Sequence, residues 1–229
     1  MSLSIVIPTF NRARFAPLVE FNINIQKYQH ICEVLIADDG ADRLEIIVPY
    51  PVRYIALNYR LTIGQKRNLL ASLATGECIA HMDDDDVYFP SYISHSMKLL
   101  NSTDTDCVGS HSMLMTDIHW NEAVLMGGNT ELANEATLVY RKCFWTERGF
   151  SESQTSEAIA FLSGRADRMV MSDIRKVMVC FCHSGNTVDK TAWLQNKACG
   201  LPNYYQQRLI LARIFSNPTA CPISSEKSA

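Results

Sequence analysis

Several features are missing from this chain, and each absence narrows what it can be. No apolar run approaches the roughly 20 residues that a membrane span needs, so no transmembrane segment is expected. The amino terminus runs straight into Leu3-Ser4-Ile5-Val6-Ile7, without the basic prefix and apolar stretch of a secretory signal. The expectation is a soluble, intracellular, cytoplasmic protein. There is no excess of positive charge: the net charge is −3, which argues against nucleic acid as a partner, because such binders usually present a basic face. Local basic spots at Arg12, Arg14, Lys66 and Arg67 are left as places to hold phosphates. The eight cysteines follow no framework. Cys180-x-Cys182 with His183 and Cys199 lacks the paired spacings of a zinc site, so reduced, mostly buried thiols are expected. No internal repeat is present, and the loop Pro8-Thr9-Phe10-Asn11-Arg12 contains no glycine, which disfavours a glycine-rich phosphate cradle there.

What is present is an ordinary globular composition, 47% hydrophobic and 20% charged over 229 residues, enough for one full core without staples. Its most unusual stretch is His81-Met82-Asp83-Asp84-Asp85-Asp86-Val87-Tyr88-Phe89-Pro90. Four carboxylates in a row repel one another and raise one another's pKa. Most acidic runs are solvated turns, but this one is bracketed tightly by Met82 and by Tyr88-Phe89 and follows an apolar run from Cys78. A divalent ion with oxygen ligands would supply the missing positive charge.

Along the chain, Leu3–Ile7 reads as a strand closing at Pro8-Thr9, and Asn11 as the cap of a helix from Arg12 to about Lys27. Strands over Cys32–Ala37 and Val52–Leu57 follow. Ile63–Ala74 has Ile63, Leu70, Leu73 and Ala74 at helical spacing, with Gly76 as the stop. Then come the strand leading to the acids and a helix over Pro90–Leu100. This alternation predicts an α/β fold with a mostly parallel central sheet flanked by helices. In such sheets ligands bind beyond the carboxyl ends of the strands, where Thr9, Asp38, Asn58 and Asp83 would lie. Beyond Asn101 the pattern loosens. Strands are expected over 106–110, 112–117, 124–126, 136–140 and 177–182, with helices over 141–148, 155–162 and 204–215. The tail from residue 216 reads as a flexible end or a linker that could lead into a further domain.

Ser4-Ile5-Val6-Ile7-Pro8-Thr9-Phe10-Asn11-Arg12, Ile36-Ala37-Asp38-Asp39-Gly40, Gly64-Gln65-Lys66-Arg67-Asn68 and Gly76 to Asp86 resemble, in order, the successive signatures of GT-A-fold glycosyltransferases of the family 2 type. The second half resembles the family more loosely, through Ala136 to Arg141, Gly149-Phe150 and Ser156 to Leu162. The resemblance implies a single Rossmann-like GT-A domain over 1–215. Its nucleotide-sugar half would cover about 1–100 and its acceptor half, with a smaller sheet, about 101–215. It also implies a nucleotide-sugar donor, a UDP-sugar above all, a glycan or other hydroxyl acceptor, and Mn²⁺ or Mg²⁺ as cofactor. By position, Pro8, Thr9 and Arg12 would line the nucleotide pocket and Asp38 would bond the base. Lys66 and Arg67 would approach base or diphosphate. Asp85 would ligate the metal and Asp83 the ribose or a metal-bound water. The run leaves the register open by one, so Asp84 stays with the donor and Asp86, near the sugar, is a catalytic candidate. His183 ends an apolar strand at the expected site edge, where it would be either a third metal ligand or a structural residue.

These residue types suit glycosyl transfer. Negative charge builds on the departing diphosphate, where a divalent ion acts as a Lewis acid and Arg or Lys adds donors. An inverting enzyme needs a carboxylate behind the acceptor hydroxyl. By the resemblance that base is Glu157, although Glu157-Ala158 replaces the commoner Glu-Asp pair. A helix first turn also favours an acid at this position. Glu152 is the nearby substitute, and without either a retaining mechanism becomes the alternative. Two other readings keep the same residues: a catalytically silent nucleotide-sugar-binding module and a sugar nucleotidyltransferase, the latter disfavoured by the glycine-free loop. Trp120 and Gly127-Gly128 fall where an acceptor loop is expected.

Overall fold

A computed structural model describes residues 1–117, 123–127, 132–188, 190, 194, 198–199 and 205–216. Trp120, Gly128 and everything after residue 216 lie outside the described residues. The first half contains β1 (Leu3–Thr9), α1 (Ala16–Asn24), β2 (Ile31–Asp38), β3 (Val52–Ala56), α2 (Ile63–Leu73), β4 (Cys78–His81), β5 (Val87–Tyr88) and α3 (Tyr92–Ser102). The second half contains β6 (Cys107–Gly109), β7 (Met113–Thr116), β8 (Ala123–Met126), β9 (Val139–Arg141), α4 (Lys142–Glu147), α5 (Ala158–Leu162), β10 (Met169–Met171), β11 (Met178–Phe181), β12 (Ala198–Cys199) and α6 (Tyr205–Ser216).

Seven strands form the main sheet in the order β10-β6-β9-β4-β1-β2-β3. β1 lies at its centre, parallel to both β2 and β4, and β2 is parallel to β3. β9 runs antiparallel to β4 and β6. The centre reads as continuous apolar sequence because both faces of the sheet are covered. Leu3, Ile5 and Ile7 of β1 pack with Phe15, Leu18 and Ile23 on one side, while Val6 packs with Leu70 and Ala71 of α2 on the other. A second sheet has the order β12-β8-β7-β11-β5. The acidic run is the crossover between the two sheets: β4 leads into it from the first, and β5 leaves it paired antiparallel with β11 in the second.

Three local expectations differ from the structure. Asn11 does not cap a helix. It has φ of 53°, and its Oδ1 accepts from the N–H groups of Ala41 and Asp42 at 2.8 and 3.1 Å. A short 3₁₀ turn, Ala13–Phe15, precedes α1 instead, with Pro17 in the first turn of the helix, where its missing N–H costs nothing. Gly76 does not stop α2, which ends at Leu73. A Cβ at Gly76 would lie 2.6 Å from the Ser4 backbone nitrogen, so glycine there allows close approach of backbone to β1. Ala136 begins no strand, because a 3₁₀ turn over Glu135–Thr137 precedes β9.

The helix that matters most is α2. Thr62 and Gln65 form a reciprocal capping box at its start, satisfying two of the orphan donors of the first turn. Its buried face is Gly64, Lys66, Arg67, Leu70 and Ala71, so two cations replace the apolar residues that spacing alone would put inward. Gly64 makes this possible: a Cβ there would stand 1.8 Å from the Ser151 carbonyl oxygen. Gly64→Ala should therefore push α2 off the 151–157 segment and cost about 1–3 kcal/mol. For a domain of this size that is a melting temperature lower by roughly 5 °C. A thermal melt matching the wild type would contradict the close approach.

Candidate functional site

The carboxyl ends of β1, β2 and β4 and the first turn of α2 converge with the residues after β11. Thr9, the last residue of β1, donates from Oγ1 to Asp84 Oδ2 at 2.5 Å, and its carbonyl accepts from Lys66 Nζ at 2.6 Å. The acidic run is thus turned inward toward Thr9. Pro8, half-buried, precedes it in β1. Arg12 reaches across the opening. Its Nη2 lies 3.2 Å from Asp85 Oδ2, its Nε 3.9 Å from Asp84 Oδ1, and it also donates to the Gly185 carbonyl.

The four aspartates have four different surroundings. Asp83 is the most open and takes Arg67 Nη2 at 3.0 Å. Asp84 is buried; burial first, and then the charge of Asp85, push its carboxyl well above the usual carboxylate range. Asp85 gathers three nitrogens around Oδ2: the His183 Nε2–H at 3.0 Å and the Asn186 Nδ2–H at 3.2 Å as hydrogen-bond donors, and Arg12 Nη2 as an ion pair. Burial works to raise its pKa, but the His183 hydrogen bond and the Arg12 charge outweigh it and hold the carboxyl low. Asp86, expected near the sugar, faces inward. It is 3% exposed, and its Oδ1 accepts from the Phe181 N–H at 2.9 Å. Its carboxyl group serves the β5–β11 junction, and burial drives its pKa far up.

The nucleotide-side residues are equally particular. Asp38, expected to bond a base, is fully buried and spends Oδ1 on the Gly40 N–H and Oδ2 on the Leu44 N–H and the Tyr54 hydroxyl. It shapes the loop after β2. Its neighbour Asp39 holds Lys66 Nζ at 2.5 Å and Arg60 Nη1 at 2.7 Å. The Arg60 guanidinium carbon lies over the half-exposed ring of Phe10, 3.2 Å from its centroid, a cation–π contact at the rim. Asp39 and Arg60 escape a reading by strand ends, because Asp39 is one step past β2 and Arg60 sits in a loop.

Behind the acids lies a buried polar network. Arg67 donates from Nε to Glu157 Oε1 at 2.8 Å and from Nη2 to Asp83, and its Nη1 lies 3.0 Å from His81 Nδ1. His81 Nδ1 also lies 2.8 Å from the Glu135 carbonyl oxygen, and its Nε2 lies 3.2 Å from the Tyr140 hydroxyl. Burial and the adjacent Arg67 hold the His81 pKa far below its ordinary value. Glu157, expected as the base, is 4% exposed and bound to Arg67. Glu152 is exposed and takes Gln65 Nε2 at 3.0 Å. Glu135, unremarked in the sequence, borders a cavity of about 230 Å³ with His111, Asn134, Ser156, Ala158 and Leu162.

Among the described residues no group of three or more His, Cys, Asp or Glu side chains forms a metal cage. The chemistry of the donor set still fits a hard divalent ion. Asp83 and Asp85 offer oxygen at the rim, the ligand type such ions take. His183 Nδ1 accepts from the Gly185 N–H at 3.1 Å, which in the neutral ring leaves the hydrogen on Nε2, facing Asp85. Ligation through Nε2 would require that hydrogen to leave. The six cysteines whose side chains are described are all free. Among the described residues no helix is long and apolar enough to cross a membrane.

Residues 4–135 match the profile described as Glycosyl transferase family 2. No curated protein matches the chain. The solved structure of S. aureus TarS 1-349 in complex with UDP-GlcNAc aligns with a TM-score of 0.61 and 16% identity, over 81% of this chain and 60% of that one. TarS 1-349 in complex with UDP gives 0.63 and 15%, over 79% and 60%. The mannosyltransferase PcManGT from Pyrobaculum calidifontis, in complex with GDP-Man and Mn²⁺, gives 0.59 and 15%, over 83% and 59%. This chain therefore spans about 60% of the length of the first two and 59% of the third. Likeness at these identities shows the fold, and it is the mixed α/β fold expected from the sequence, with a mostly parallel central sheet and a smaller second one.

Proposed function

The chain belongs to glycosyl transferase family 2, and on that basis we propose that it moves a glycosyl group from a nucleoside-diphosphate donor to a hydroxyl of a glycan or other acceptor. The observation that carries this reading is the inward-turned acidic crossover: Thr9, Arg12, Arg67 and His183 all contact the carboxylates of Asp83–Asp85. A mere solvated acidic turn would have no such ring of partners.

Asp83 and Asp85 hold the divalent ion, Mn²⁺ or Mg²⁺, and His183 and Asn186 keep Asp85 aimed. When bound, such an ion neutralises charge on the departing diphosphate. Arg12 adds a donor at the opening and exchanges part of its contact with Asp85 for phosphate oxygen. Lys66, pinned between the Thr9 carbonyl and Asp39, sets the shape of the nucleotide floor. Asp38 acts there through the loop it braces. The Phe10–Arg60 contact gives a rim suited to a base, and uridine is the proposed nucleoside. Arg67 and Glu157 stand behind the donor.

The test is nucleoside-diphosphate release by the purified chain from UDP-GlcNAc, UDP-glucose and GDP-mannose, with Mn²⁺ or Mg²⁺. Slow release that stops with chelator supports the reading. One observation favours a second reading, a nucleotide-sugar-binding module without turnover: Asp85 Oδ2 already carries two hydrogen bonds and an ion pair. Donor binding with no release from any donor would establish that alternative.

A further inference from the structure

Carboxylates crowd this site, yet few are placed to take a proton from an acceptor. Glu157 Oε1 is bound to Arg67 Nε, and the residue is almost fully buried. Asp86 faces the β5–β11 junction, Asp84 is held by Thr9, and Asp85 by Arg12, His183 and Asn186. The position after Glu157 is Ala158, which has no acid to offer.

Glu135 is different on three counts. Its carboxylate carries no side-chain partner among the hydrogen bonds of the described residues, only backbone N–H groups: that of Ala158 at 3.4 Å and its own. It borders the cavity of about 230 Å³ on whose wall Ala158 and Ser156 also lie. That cavity is also lined by His111, whose Nδ1 is buried with no hydrogen-bond partner among the described residues, and a buried polar atom without a partner is costly unless something fills it. The polar groups Asn134, Ser156 and His111 beside apolar Ala158 and Leu162 suit a ligand with hydroxyls on a carbon frame. The cavity wall is tied to the acidic crossover by one side chain: the Tyr88 hydroxyl donates to the Ala136 carbonyl at 2.9 Å and accepts from the Asp83 N–H at 2.8 Å. His81, two residues before Asp83, lies with Nδ1 2.8 Å from the Glu135 carbonyl oxygen.

We propose that Glu135 is the general base of this enzyme and that the cavity it borders receives the acceptor hydroxyl. The inference rests on the glycosyl-transfer reading above. In the step, the acceptor O–H bond breaks and its proton passes to the Glu135 carboxylate. The oxygen lone pair forms the new bond to the anomeric carbon, and the bond from that carbon to the diphosphate oxygen breaks, its electrons leaving with the nucleoside diphosphate. Glu157 is then a positioning residue, which orients Arg67. The groups facing Glu135 fit the role: burial first, and then the Glu157 charge, raise its proton affinity, while Arg67 keeps it ionisable.

The experiment uses water as the acceptor, because it needs the same deprotonation, and azide as a nucleophile that needs none. Donor release by the full chain is compared for wild type, Glu135→Gln and Glu135→Ala, with donor affinity measured by titration. We expect Glu135→Gln to lower release by about 100-fold or more, the usual contribution of a general base, with donor affinity unchanged. Sodium azide should restore release by Glu135→Ala and yield a glycosyl azide, which a structural role would not produce. Wild-type turnover with an unchanged Glu135→Gln would overturn the base assignment alone, as would loss of release that azide does not restore. No release by the wild type from any donor overturns the transferase reading and the base with it.

Discussion

Asp85→Ala is expected to lower metal-dependent donor turnover by roughly 1,000-fold or more, since a Lewis-acid contact supplies several kcal/mol and each 1.36 kcal/mol is tenfold in rate. The fold should survive. Arg12 keeps the Gly185 carbonyl and Asp84, and the change removes a negative charge that pushes Asp84 and Asp86 upward. A loss of about 1 kcal/mol, that of an ordinary hydrogen bond, is the expected stability effect. Asp86→Ala makes the informative contrast. It removes the acceptor of the Phe181 N–H at a buried strand junction, so about 1–3 kcal/mol of stability should go while Mn²⁺-dependent UDP binding persists in the folded fraction. Titration calorimetry beside thermal melts reads both effects. If Asp86→Ala loses the metal response and Asp85→Ala keeps it, the ligand assignment moves one residue along the run.

That contrast also marks where sequence stops being informative. The strand ends of β1, β2 and β4 are legible because buried parallel strands read as apolar runs, each followed by its polar residues, whereas β3 is half exposed. The acidic run stood out for the same reason. Which aspartate faces the opening depends on β5, a two-residue strand whose partner β11 lies some 90 residues away and which no periodicity can reveal. β10 and β12, of three and two residues, are too short to leave a periodic signal either. Lys66 and Arg67 were legible as phosphate-side residues, but their burial was not. Hydrophobic spacing counts only apolar positions, and the acids that make burial of these two tolerable come from the loop after β2, the crossover and the segment before α5. Glu135 gave no local signal at all. It precedes a segment that reads as a strand, and only the tertiary structure brings it to Ala158 and the cavity.

Arg67→Met should be the most destabilising single change in the site, by about 3–5 kcal/mol, the usual cost of breaking a buried pair from one side. Arg67 is 2% exposed. Burial opposes its charge, but Asp83 and then Glu157 more than compensate and raise its pKa. Methionine fills much of the volume and leaves Glu157 with no counter-charge, so the cost is electrostatic rather than a cavity. In a domain of this size the melting temperature should fall by roughly 10 °C. Glu157→Gln alone keeps a hydrogen-bonding oxygen opposite Arg67 Nε and should cost less. The double variant carries the argument: once Arg67 is gone, neutralising Glu157 removes the stranded charge, so Arg67→Met with Glu157→Gln should be more stable than Arg67→Met by about 1–3 kcal/mol, the range seen for directly coupled residues. Simple addition of the two single effects would mean that the pair does not hold α2 to the segment before α5. With the expected coupling, the contacts of Arg67 with Glu157, His81 and Asp83 make it the residue that joins α2, the segment before α5 and the acidic crossover.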